Sequence, residues 1–332
     1  MDVDAFRAVH EQEWARLREL VGRRHPSGAE ADELVRLYQR TATHLSVLRS
    51  AQAEPVLLDQ LSTLLVRARS RLTGSRYTAW NQLAHFAGRG LPAALWRVRW
   101  WSLAAAAYTI VLATAAGAWV TGNPRVQASL FGSDEDIRRL VEEDFAGYYS
   151  EYANASFAGR VWTNNALVAA TCVVLGITGV FVLVALTQNA LNVGLQGGLL
   201  VDNGRGEVFF GLIAPHGILE LTAVFVAAGA GLKLFWTWVA PGPRTRAQAL
   251  AVEGRAMVGL ALGLVVVLFV SGLIEGFVTP SQLPTAARVG IGVLAEVAFL
   301  LYVVLLGRPA AAAGETGDVE ARFAGDVAPV RG

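Results

Sequence analysis

The sequence predicts an all-helical membrane protein: a polytopic bundle of five or six membrane segments, one of them broken or re-entrant, preceded by a soluble helical domain. Three observations predict it. The 332-residue chain is 54% apolar and only 17% charged, too few charges to cover a soluble fold of that size. Uncharged runs of bilayer length recur after residue 99. Before that point, apolar residues recur at helical spacing and never at the alternation of a strand.

The single Cys172 excludes an internal disulfide framework, and five scattered histidines without a second cysteine match none of the usual structural zinc patterns. A formal net charge of +1 hides regional imbalance. Residues 1–99 carry 15 arginines and 10 acids, whereas residues 121–160 carry seven acids and four arginines. Segments of opposite sign are expected on opposite sides of the membrane. Lys233 is the only lysine among 28 basic residues, a bias that points to a GC-rich genome rather than to the fold.

Residues 1–96 are expected to form a cytoplasmic domain of amphipathic helices. The first carries Phe6, Val9, Trp14, Leu17 and Leu20 on one stripe, with Asp2 or Asp4 to cap it. A second begins after Pro26-Ser27-Gly28. Its first turn holds Glu30, Asp32 and Glu33, and its stripe is Leu34, Leu37, Tyr38, Leu45 and Leu48. After Pro55 a third turns Leu57, Leu58, Leu61, Leu64, Leu65, Ala68 and Leu72 inward and Arg67, Arg69 and Arg71 largely outward. The charged amino terminus is no secretory signal.

Trp100–Val120 is 21 residues without a charge, roughly 30 Å of helix and enough for the bilayer core. Arg97 and Arg99 precede it beside Trp96, Trp100 and Trp101, a basic flank and an aromatic belt that place the amino terminus in the cytoplasm. The acidic loop 121–160 is then extracytoplasmic, with Tyr148, Tyr149, Tyr152, Phe157 and Trp162 as interface anchors for the return. Further spans are expected at Ala166–Leu186, Val208–Leu232, Ala256–Ile274 and Val289–Gly307, completing a membrane domain over 97–308. The tail 309–332 is expected to be unstructured. Five spans would put the loop carrying Lys233, Arg244, Arg246 and Arg255 outside, against the positive-inside rule. If residues 190–214 cross once as a broken pair of half-helices, the loop returns to the cytoplasm, and this six-crossing reading is preferred. A re-entrant hairpin in the same stretch would restore five.

Charges at membrane depth cost about 2.5–3.5 kcal/mol each on insertion scales, so each one asks for a reason. His216 and Glu220 lie four apart after Pro215 and share a helix face. Glu275 and Thr279 close a later span, Asn164 and Asn165 open an earlier one, and Glu296 sits within the last. With six crossings, His216, Glu220, Glu275, Thr279 and the asparagine pair all lie toward the outer leaflet. With five, the asparagines are left on the other side. An imidazole beside carboxylates can share a proton, bind a cation, or serve as interhelical hydrogen-bond glue. One histidine and two carboxylates on helices not yet known to be neighbours do not make a defined metal set, so neither metal nor cofactor is expected. Gly194 to Gly206 lacks phosphate-loop spacing, and no Ser/His/Asp or Cys/His nucleophile can be assembled around Cys172, so no enzymatic activity is expected. The arginines at 67, 69, 71 and 76 suit anionic headgroups, a cytoplasmic partner, or simply a solvated helix face.

Taken in order, Asn164-Asn165, Pro215-His216-Gly217-Ile218-Leu219-Glu220-Leu221 and Ile274-Glu275-Gly276-Phe277-Val278-Thr279-Pro280 resemble the stage II sporulation protein M family of integral membrane proteins over roughly residues 100–307. The amino-terminal helices, with Trp14, Leu17, Tyr38 and Arg40, are similar to the cytoplasmic extension of actinobacterial members. The resemblance implies a non-enzymatic, multi-pass protein of the cytoplasmic (inner) membrane with its amino terminus inside. In endospore formers the family member scaffolds an engulfment complex with peptidoglycan-degrading and inhibitory partners; other relatives occur beside a MoxR-type ATPase or a small RDD-type membrane protein. The expected role is a scaffold or accessory subunit of cell-envelope machinery. Its expected partners are the bilayer, envelope proteins, a cytoplasmic protein docked on the first helices, and a second copy of the chain, but not nucleic acid. The alternative is a transporter or channel subunit that uses the His/Glu cluster for proton or ion coupling.

Overall fold

The computed structural model describes residues 3–23, 27–51, 54–72, 79–145, 147 and 155–318, and all regular structure among them is helical. The chain divides into two compact units, Met1–Leu83 and Ala84–Gly332. The expected division at 96/97 followed the start of the apolar run, but the helix of the first span begins well before that run.

The first unit packs α1 (Val3–Gly22), α2 (Gly28–Ser50) and α3 (Pro55–Leu72) around Trp14, Leu17, Leu20, Leu48, Leu61 and Ala68. Ser27 starts α2 with a capping box. Its hydroxyl accepts from the Glu30 N–H, and Glu30 accepts from the Ser27 N–H at 2.8 Å. That backbone donor holds the Glu30 carboxyl below the usual carboxylate range. Arg16 grips both oxygens of Glu33 across α1 and α2, at 3.1 and 2.8 Å. Val9 does not join the core and is 71% exposed. Stepping back one helical turn from Trp14 reaches position 10, and His10 takes the place expected of Val9.

His10 and His44 stack with ring centres 4.0 Å apart, Phe6 packs against both, and the Trp14 indole donates to His44 Nδ1 at 3.1 Å. Burial, reinforced by His10 and Arg40 and opposed by Glu13, pushes the His44 pKa below its ordinary value. A histidine depressed in the folded state binds its proton better when unfolded. Its contribution is therefore complete above the unfolded pKa of about 6.5 and is lost as pH falls through the folded value. Hydrogen-exchange protection factors of residues 3–72 in the full chain, taken relative to the intrinsic rate at each pH, should fall on acidification below about pH 6.5. His44→Gln, which keeps an acceptor for Trp14, should flatten that dependence.

Among the described residues six helices are long and apolar enough to cross a bilayer: Trp80–Val120, which begins just before the second unit, and Ala158–Thr178, Val180–Asp202, Gly206–Val239, Arg246–Val278 and Thr285–Ala312 within it. The fourth is the hub and packs against all five others. Bulky residues such as Ile110, Val111, Leu262, Val266, Leu294 and Leu305 point outward, a lipid-facing surface. The spans anticipated in the second half hold with longer ends, but the chain breaks elsewhere than expected. The single span Ala166–Leu186 is cut in two. Leu175–Thr178 tightens into a 3₁₀ turn and Gly179 takes φ +66°, a left-handed conformation that glycine adopts without strain, before a new helix starts at Val180. Residues 190–214 are neither a broken pair of half-helices nor a re-entrant hairpin. Residues 190–202 finish the third span, a turn follows at Asn203–Arg205, and the fourth span runs unbroken through Pro215. The glycines that suggested a break serve packing. A Cβ on Gly194 would lie 2.3 Å from the Ala113 carbonyl oxygen, and one on Gly198 would lie 2.5 Å from that of Gly117.

Gly122 N–H and Gln127 Nε2 both donate to Asp202, at 2.9 and 2.6 Å, so the segment after the first span and the turn after the third share one end of the bundle. Arg97 meets Glu253 at the other end, close to the hairpin between the fourth and fifth spans. Six crossings put Ser133 and Gln248 on opposite sides. Single cysteines at those positions in a Cys172→Ala background should react with an impermeant thiol reagent from opposite faces of sealed vesicles, and labelling from one face would refute the arrangement.

Lys233 and Arg255, expected in a loop, lie within helices. Residues 309–318 of the expected unstructured tail are folded: Arg308–Ala312 is helical, Arg97 donates to Thr316 O at 2.6 Å, and Arg255 makes a two-pronged pair with Asp318 at 2.9 and 2.8 Å. The rest of the tail lies outside the described residues, as do Tyr148, Tyr149 and Tyr152 of the expected interface anchors, the Phe157 side chain and Arg76. Trp162 is half-buried: its indole donates to Val265 O at 3.0 Å and its ring meets Phe269 edge-on.

Candidate intramembrane site

The fourth span carries His216 and Glu220 one turn apart, so both face the fifth span. The fifth span ends in a wide π turn, Ile274–Val278, which carries Glu275 and delivers Thr279. Such turns displace one residue from the regular helical register and often occur at functional sites. His216, Glu275 and Thr279 are 5%, 5% and 0% exposed, which separates them from the solvated ends of the bundle.

His216 Nδ1 lies 3.2 Å from Thr279 Oγ1, and Thr279 donates its own hydroxyl hydrogen to Ile274 O at 3.3 Å. With that hydrogen committed, Thr279 is placed to accept from Nδ1–H, and Nε2 faces Glu275 Oε1, 3.8 Å away. Ser271 donates to the His216 carbonyl at 3.1 Å, tying the fifth span to the backbone just after Pro215. Asn165 and Ser271 lie close enough to Glu220 to act on its carboxyl. One ligand-competent atom each from His216, Glu220 and Glu275 falls within 4.8 Å of the others. The site can exchange a proton, hold a cation, or lock the helices together.

Of the residues singled out from the sequence, His216, Glu220, Glu275, Thr279 and Asn165 come together. Asn164 does not; it is exposed, and its amide only reaches Asn165 at 3.4 Å. Glu296 stands apart from the cluster and accepts from Thr222 Oγ1 at 2.9 Å. Ser271 was missed, because a serine in an apolar run gives no sequence signal of its own. A second polar cluster at the opposite end was missed as well: Glu253 pairs with Lys233 at 2.6 Å and Arg97 at 2.8 Å. Its one sequence trace is the pair of unlike charges flanking the hairpin between the fourth and fifth spans.

Fold and site together define a polytopic helical membrane protein that sequesters a His/Glu/Glu cluster between two central helices. Within that class the chain belongs to the Stage II sporulation protein M family, whose model matches residues 106–280. The matched stretch contains His216, Glu220, Glu275, Thr279 and both asparagines. Residues 4–74 match a domain family of unknown function, DUF8413. No curated protein and no solved structure matches the chain.

Proposed function

We propose that the protein is a non-enzymatic scaffold or accessory subunit of cell-envelope machinery. It resides in the cytoplasmic membrane with its amino terminus inside, and it links a peptidoglycan-acting partner on the outer side to a cytoplasmic protein docked on α1–α3. The observation that carries this reading is membership of the Stage II sporulation protein M family, joined to an architecture suited to holding partners. The six spans approach to backbone contact at several glycines, and a separate helical unit with its own core precedes them. Arg97, Arg99, Arg244 and Arg246 gather toward the end of the bundle assigned to the cytoplasm, in keeping with the positive-inside rule.

Crosslinking in native membranes followed by purification tests the proposal. A peptidoglycan-acting enzyme should be recovered in stoichiometric amount and should survive deletion of residues 1–83, while a cytoplasmic partner should be lost with that deletion. Recovery of the chain alone after crosslinking, with unchanged wall turnover in cells lacking it, would overturn the reading.

A further inference from the structure

We propose that His216, Glu220 and Glu275 bind one divalent transition-metal ion of the Zn²⁺ class, which cross-links the fourth and fifth spans. The inference goes beyond the scaffold reading and does not depend on it.

Three features carry it. The first is the donor set: one imidazole nitrogen and two carboxylates, the ligand types of catalytic and structural zinc sites, converge within 4.8 Å. Metal–ligand bonds of about 2.0–2.2 Å place tetrahedral ligands roughly 3.3 Å apart, a contraction that side-chain rotation on two helices already in contact supplies. The second is orientation. Thr279 accepts at Nδ1, so the histidine directs Nε2 toward Glu275, the arrangement by which an outer hydrogen bond fixes the tautomer of a metal-binding histidine. The third is charge. Glu275 Oε2 is buried and has no hydrogen-bond partner among the described residues. Two ionised carboxylates at membrane depth call for more compensating positive charge than one imidazole can supply. The nearby cation Arg288 turns Nη1 to Thr279 O at 2.6 Å and Nη2 to Thr285 Oγ1 at 3.0 Å, and its Nε is buried without a hydrogen-bond partner; among the described residues no ion pair joins it to either carboxylate of the cluster. A divalent ion would neutralise both carboxylates at once, with Asn165 or water completing its shell.

His10, Glu13 and His44 in the first unit also bring one ligand-competent atom each within 4.8 Å of one another, yet their chemistry differs. The Trp14 indole N–H occupies His44 Nδ1, which leaves the proton on Nε2, and Arg40 already neutralises Glu13 at 2.7 Å. They therefore serve as the internal comparison.

The test is metal content of the full-length protein in mild detergent, measured by elemental analysis after stripping with chelator and reloading with Zn²⁺, and by the visible spectrum after reloading with Co²⁺. The wild type should take up one ion per chain, and His216→Ala with Glu275→Gln should take up none. Glu296→Gln, which alters a half-buried carboxylate on the sixth span that stands apart from the cluster, should leave uptake unchanged and so controls for folding. Thr279 is a positioning residue: Thr279→Val should weaken affinity about 10–100-fold, and Thr279→Ser should restore it. Wild-type protein that reloads no ion overturns the site and identifies the cluster as a proton-sharing lock. Uptake that persists in the His216/Glu275 variant but vanishes in His10→Ala with His44→Ala also overturns it. Neither result bears on whether partners are recovered by crosslinking.

Discussion

Gly292→Ala should destabilise the membrane unit by about 3 kcal/mol or more, at the upper end of what overpacking usually costs. A Cβ at Gly292 on the sixth span would stand 2.0 Å from the Pro215 carbonyl oxygen and 2.7 Å from its carbon, so the obstacle is backbone and no rotamer change relieves it. The helix must shift, and it sits against the residue that precedes His216. Gly290, two positions earlier in the same helix, has nothing within 4 Å of the place a Cβ would occupy, so Gly290→Ala should be neutral or should gain up to about 1 kcal/mol from helix propensity. Unfolding midpoints of the two variants in detergent decide the matter. Equal effects would mean that the sixth span does not approach the fourth so closely. Because the displaced contact adjoins the cluster, Gly292→Ala should also loosen the His216–Thr279 hydrogen bond and leave the Glu253 network unaffected.

Glu253→Ala should cost about 3–5 kcal/mol, the range for removing one member of a buried ion pair. Glu253 lies between two cations, Lys233 Nζ at 2.6 Å on the fourth span and Arg97 Nη2 at 2.8 Å on the first, with side-chain exposures of 11%, 16% and 26%. Alanine leaves both cations partly desolvated without a counter-charge. The large effect is the cost of that orphaned charge and does not measure the worth of the intact network. Replacing Lys233 and Glu253 together by leucine should accordingly recover part of the loss. Arg97 also donates to Thr316 O, so Glu253→Ala should speed proteolysis beyond residue 312. A Glu253→Ala protein that melts within about 0.5 kcal/mol of wild type, as a surface substitution would, refutes the assignment of this network to the interior.

How far the fold and the site were legible depends on whether each feature is local in the chain. The stripes of α1–α3 follow from apolar spacing, and the error at Val9 was one residue of helical phase, visible only once Trp14 fixed the inward face. The grouping of His216, Glu220 and Glu275 followed from the cost of charge at membrane depth and from counting crossings, with no knowledge of contacts. The break at Gly179 was invisible, because apolar neighbours on both sides present one uncharged run. The glycines at 194, 197 and 198 imitate a break while they in fact serve helix packing. Asn165 and Asn164 are equivalent in sequence, and helical phase against the fourth span alone separates them.

By itself, then, the sequence determined that the chain is helical, that it is divided into a charged helical head and a membrane bundle, and which ionisable groups the bilayer would make expensive. Hydropathy, periodicity and charge are sums over neighbours along the chain, and these features are of that kind. The tertiary structure decided where an uncharged run turns back, which carboxylate meets which cation, and that His216 and Thr279, 63 positions apart, share a hydrogen bond. Those features depend on distances between helices. Such distances are set by backbone approach at single glycines and by the register of one span against another, and no local property of the chain encodes either.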